Sequence, residues 1–77
     1  MKANEAIRTI VDSRGMKYSA LAFQLNLTRA ALYERLTQKN LSLLKFNEIL
    51  KALGYKIVIV PYNTPVKDEQ YEITTED

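Results

Sequence analysis

Neither cysteine nor histidine occurs among the 77 residues of the chain. Without them there is no disulfide framework, no thiolate or imidazole metal site, no cysteine nucleophile and no histidine general base. Carboxylates do not fill the gap, because residues 1–61 hold only Glu5, Asp12, Glu34 and Glu48, scattered and with no base beside a nucleophile. The chain is therefore not expected to be an enzyme, and no catalytic residue, cofactor or metal site is expected. Long apolar runs are missing too. Nothing approaches the roughly 18–20 residues that a membrane span needs, and the N-terminus lacks the apolar centre of a signal peptide. A soluble, cytoplasmic protein with no membrane partner is the expectation. Glycine and proline are scarce, two of each, and Gly15, Gly54 and Pro61 fall where elements should end.

What is present is 47% hydrophobic and 26% charged content, enough for one core and not for two. A chain of this length buries about 60–65% of its unfolded surface, which makes oligomerisation a reasonable extra stabiliser. The charge is segregated. Residues 1–61 carry ten Lys/Arg against four carboxylates, net +6, whereas residues 62–77 carry Lys67 against Asp68, Glu69, Glu72, Glu76 and Asp77, net −4. A basic body suits a polyanion, and an acidic tail suits disorder or a partner. Accordingly, residues 1–61 are read as the folded domain and 62–77 as a mostly irregular tail that does not join the core, since joining would bury charge.

Along the body the apolar period is helical. Asn4 is the expected cap of a first helix with Ile7, Ile10 and Val11 inward, ended by Gly15. Ser19–Leu25 is the second helix, burying Ala22 with Leu21 or Leu25, and Asn26 is a left-handed terminator. Thr28 caps a third helix to about Thr37, with Ala31, Leu32 and Leu36 inward. After a polar turn at Gln38–Leu41, Ser42 caps a fourth helix with Leu43, Phe46, Ile49, Leu50 and Leu53 on its apolar side, closed by Gly54. From Tyr55 the pattern becomes extended. The β-branched run YKIVIV predicts a strand over Tyr55–Val60, closed by Pro61. Such a strand must find a ladder partner, either the YEITT segment at Tyr71–Thr75 or the same strand of a second subunit. A return connection of roughly ten residues is long for a hairpin, which favours the second subunit and makes Tyr55, Ile57, Val58, Ile59 and Val60 dimerisation residues.

Residues 21–36, LAFQLNLTRAALYERL, give helix, tight turn and second amphipathic helix, the grammar of a helix-turn-helix. Leu32 and Leu36 anchor the second helix so that its other face is free for a major groove. Leu21–Ala22, Asn26, Leu27, Thr28–Arg29 and Leu32 resemble, in order, the repressor-like (XRE-type) helix-turn-helix superfamily. The run ALYERL followed by KNLSLLKFNEILKALGYKI is most similar to its addiction-module antidote, or antitoxin, branch, over about residues 4–60. Two positions depart from that branch, Leu41 where proline is usual and Asn26 where glycine is usual. The opening Lys17–Tyr18–Ser19 also replaces the usual Ser/Thr-Gln, so no operator sequence carries over.

The resemblance implies a mainly α fold, four helices followed by one short strand pairing across a dimer. It also implies a bacterial or phage-encoded protein that binds double-stranded operator DNA. It puts Thr28 at the recognition-helix cap against phosphate and turns Arg29, Ala30, Tyr33 and Glu34 toward base edges. Of these, Arg29 is best suited to reading a guanine bidentately. A solvated Arg29 and a packed Tyr33 are the plainer alternatives. Arg35 reaches phosphate, pairs with Glu34 or faces solvent, while Lys17, Lys39 and Asn40 lie on turns that would meet the DNA backbone.

The function expected is a transcriptional repressor, a homodimer, and within that reading an autoregulating antitoxin with a cognate toxin as partner. The alternatives are a phage or mobile-element repressor without a toxin, and a protein-interaction module that does not bind DNA.

Overall fold

A computed structural model describes residues 1–38 and 41–74. Four helices follow one another: α1 (Ala3–Ser13), α2 (Tyr18–Gln24), α3 (Arg29–Thr37) and α4 (Leu43–Ala52). Their inward faces make one core, in which Ile7, Ile10, Leu21, Leu32, Ile49 and Leu53 are among the fully buried side chains. No buried side-chain polar atom among the described residues lacks a partner.

Three of the helices stop in the same way. Each is followed by one residue in the left-handed region, Gly15 (φ 61°), Asn26 (φ 56°) and Gly54 (φ 80°). The next amide reaches back to a carbonyl of the last turn: Met16 to Val11 (3.1 Å), Leu27 to Ala22 (2.9 Å) and Tyr55 to Leu50 (2.8 Å). This is the Schellman ending, which satisfies carbonyls the helix leaves orphaned and turns the following apolar side chain inward. Met16, Leu27 and Tyr55 all pack on the core. Helix α3 ends differently, at an extended Gln38. There the Leu36 carbonyl accepts from the Asn4 amide side chain at 3.0 Å, tying the start of α1 to the end of α3.

That contact replaces the capping role expected of Asn4. Helix α1 begins at Ala3 after Lys2, and the Glu5 carboxylate accepts from the Lys2 amide at 2.7 Å. A lysine side chain has no acceptor, so Glu5 alone supplies this end, where a negative charge also suits the helix dipole. Thr28 and Ser42 do cap as expected, their hydroxyls accepting from Ala31 (3.0 Å) and Lys45 (3.2 Å). Helix α2 starts one residue early, at Tyr18. Leu43 is not on the buried side. It is 70% exposed, because Phe46, Ile49, Leu50 and Leu53 already fill the inward stripe and Leu43, one turn earlier, overhangs it.

No strand forms among the described residues. Tyr55–Val60 runs on without helix or ladder, and residues 56–60 make no backbone hydrogen bond to another described segment. The physical reason is that no second edge lies beside it among the described residues, because the tail passes elsewhere. It turns at Pro61–Thr64 (Thr64 amide to Pro61 carbonyl, 3.0 Å) and again at Lys67–Gln70 (3.0 Å), then returns to Tyr55 and Met1. Tyr71 packs on the core, so the expectation of a tail detached from it is corrected. One aromatic ring enters while Asp68, Glu69 and Glu72 stay exposed, and no charge is buried.

Candidate nucleic-acid interface

The α2–α3 unit is built by local chemistry. Asn26 adopts the left-handed turn that ends α2, Leu27 drops its side chain onto the core, and Thr28 opens α3 with its own hydroxyl. The connection therefore holds only Leu25–Thr28, four residues, and the two helices pack against each other. Leu32 and Leu36 are buried with Leu21 and Ala22, which fixes how α3 is rotated about its axis.

That rotation brings the expected base-reading residues to the outside together. Arg29, Ala30 and Glu34 are exposed, and Tyr33 is 68% exposed. Positions 29, 30, 33 and 34 span about 140° of the surface of a 3.6-residue helix, centred about 110° around from Leu32 and Leu36, with Arg29 and Tyr33 on the edge nearer Leu36. The packed alternative for Tyr33 is thereby removed. Arg29 is the first residue of α3, beside the amides of the helix N-terminus, a region that favours anions. Because the Thr28 oxygen accepts from the Ala31 amide, its hydroxyl proton remains available to a phosphate. Lys17 precedes α2 and is exposed. Lys39 and Asn40 lie outside the described residues.

Arg35 does something else. Its guanidinium lies 3.5 Å from the Glu48 carboxylate on α4, so the carboxylate it meets is not that of Glu34. Residues 34 and 35 are adjacent on a helix and diverge, whereas Glu48 comes across from the neighbouring helix. The pair is partly exposed and worth at most about 1 kcal/mol. Tyr18 at the start of α2 is held above its ordinary phenol value, by burial first and by the Asp12 charge second, with Arg8 opposing both.

Two features escaped the sequence reading. Phe23 on α2 is 83% exposed. The signal was present, since Leu21, Ala22 and Leu25 already take the inward positions of a two-turn helix and leave residue 23 outside. The second is a cluster at the end of α1: the Arg14 guanidinium lies 5.3 Å over the Tyr55 ring, and the Tyr71 ring lies 6.3 Å from Tyr55 on a centroid basis. Nothing local marks that cluster, because its members are 16 to 57 positions apart. Among the described residues no group of carboxylates is placed to hold a metal ion, and no helix is long and apolar enough to cross a membrane. No protein-family model, curated protein or solved structure matches the chain.

Proposed function

We propose that the chain is a sequence-specific DNA-binding transcriptional repressor that acts as a homodimer. The observation that carries this reading is the outward stripe of Arg29, Ala30, Tyr33 and Glu34 on a capped helix seated behind α2 by a four-residue turn. An α-helix presented in this way fits a major groove, and an arginine at its start has a guanine to read. The +6 body supplies the sequence-independent attraction to phosphate. Antiparallel pairing of Tyr55–Val60 across a two-fold axis satisfies the free backbone edges and sets two recognition helices about 34 Å apart, one turn of DNA.

Selection of bound sequences from a random duplex library tests the reading. A two-fold symmetric site, lost in Arg29→Ala, is the expected result, and recovery of no sequence preference with the intact protein overturns it. Within this function, the antidote-branch resemblance makes the protein an autoregulating antitoxin. A small toxin reading frame beside the gene, and loss of toxicity on co-expression, distinguish that role from a phage or mobile-element repressor.

The exposed Phe23 and the apolar segment after Tyr55 favour a second reading, a protein-interaction module. A chain that binds no DNA at low salt while capturing a protein partner would establish it.

A further inference from the structure

Tyr55 and Tyr71 are sixteen positions apart, yet their ring centroids lie 6.3 Å apart, and Arg14, the residue just after α1, covers the Tyr55 ring at 5.3 Å. The chain between them is therefore an excursion that leaves and re-enters the body at one point, the closed-ended shape of an Ω-loop. Just beyond the clasp a second tie holds it shut: the Met1 nitrogen donates to the Glu72 carbonyl (3.1 Å), and the Thr74 amide donates to the Met1 carbonyl (2.8 Å). What the closed loop carries is unusual for a solvated surface. Ile59 is 99% and Tyr62 98% exposed, and Ile57, Val58, Val60 and Val66 are exposed as well.

We propose that residues 56–66 are an apolar arm, held at its base by the Arg14–Tyr55–Tyr71 clasp, and that the arm is buried against the arm of a second copy of this chain. The inference rests on the dimeric reading above and deepens it, extending the interface past Val60 and assigning the clasp as the device that aims it. Three observations select a second copy as the occupant. The amides and carbonyls of residues 56–60 have no partner among the described residues, and an identical antiparallel edge satisfies them reciprocally. Lys56, at the base, is the one charge of the arm and residues 57–66 carry none, so like-charge repulsion between two copies is confined to that end. The six exposed apolar side chains supply the apolar centre that a stable interface between two copies needs.

Arg14, Tyr55 and Tyr71 are positioning residues in this scheme. They hold together the two ends of the loop that carries the arm, so that its geometry relative to the helices is the same in both copies. Without the clasp the arm remains apolar but is ordered only on association, and the ordering entropy is charged to the dimer.

Analytical ultracentrifugation of the full chain at micromolar concentration, paired with binding to a duplex carrying a single half-site, tests the proposal. The intact protein is expected to be a dimer. Ile59→Lys is expected to weaken dimerisation at least tenfold with unchanged helical circular dichroism, because a side chain so exposed packs on nothing within one copy. Tyr71→Ala is expected to weaken it at least tenfold, and Tyr71→Phe to restore it, with half-site binding unchanged in all three. A monomeric intact protein overturns the proposal, as does full-strength dimerisation of Ile59→Lys. If Tyr71→Ala loses helix, Ile59→Lys decides the arm and Tyr71→Phe the clasp: a Phe variant that folds but does not dimerise overturns the clasp. A monomer that still binds DNA through Arg29 defeats the arm alone, and a dimer that binds no DNA defeats the repressor reading alone.

Discussion

Arg29 and Lys39 differ in what they can tell a protein about DNA. A guanidinium at the start of an outward helix reaches two acceptors on one guanine, whereas a lysine ammonium neutralises a phosphate whatever the base. Arg29→Ala is expected to cost about 1–3 kcal/mol on the operator and little on random DNA. Lys39→Ala is expected to weaken both and to lower the slope of log affinity against log salt by about one. Titrations at several salt concentrations on the two DNAs separate the roles, and parallel losses for both variants would contradict them. Tyr18 makes a different prediction. Its phenol is held above the ordinary value by burial and Asp12, so the unfolded chain loses that proton first. Its contribution leaves stability flat below about pH 10 and lowers it as pH rises beyond, toward the folded-state value. Urea denaturation of Tyr18→Phe across pH 8–11 is expected to show a shallower alkaline decline than the intact protein.

At the scale of elements, the left-handed residues decide where helices stop. Gly54 has φ 80°, and a Cβ there would meet only the Arg14 guanidinium at 3.9 Å, an ordinary contact. The cost of Gly54→Ala is therefore backbone strain, about 1–2 kcal/mol, with the clasp nearby left sterically free. Asn26 already pays part of that strain at φ 56°, so Asn26→Gly is expected to be neutral or to stabilise by up to about 1 kcal/mol. Chemical denaturation with unchanged m-values checks both, and equal destabilisation by the two substitutions would show that φ is not what matters. Thr28→Ala removes the hydroxyl that accepts from Ala31 and is expected to cost about 0.5–2 kcal/mol.

For the whole molecule, the tail changes meaning once Tyr71 is seen against Tyr55. A detached acidic tail would be removable without loss, and its removal would raise DNA affinity through charge alone. A tail whose tyrosine closes the base of the arm is structural. Deletion of residues 62–77 is accordingly expected to lower the melting temperature and to weaken dimerisation, measured by calorimetry and sedimentation. Unchanged melting and self-association would return the tail to the detached role. Charge neutralisation of Asp68, Glu69 and Glu72, which are exposed, is expected to leave both properties alone while raising affinity for DNA at low salt.

The four helices were legible in the residues because each signal acts within a few positions. Thr28 and Ser42 cap amides three residues on, Gly15, Asn26 and Gly54 take the conformation that ends a helix, and Leu32 with Leu36 states which face of α3 turns inward. The outward stripe of Arg29, Ala30, Tyr33 and Glu34 follows from the same periodicity. Other features needed the assembled fold. Asn4 serves Leu36 rather than its own helix, Arg35 finds Glu48, Leu43 overhangs a stripe that is already full, and Tyr71 returns to Tyr55 and Arg14. Each of these depends on what the packed fold brings to, or leaves room for at, a shared place. No spacing along the chain encodes that, because loop closure costs little more for a long connection than for a short one and packing chooses among many.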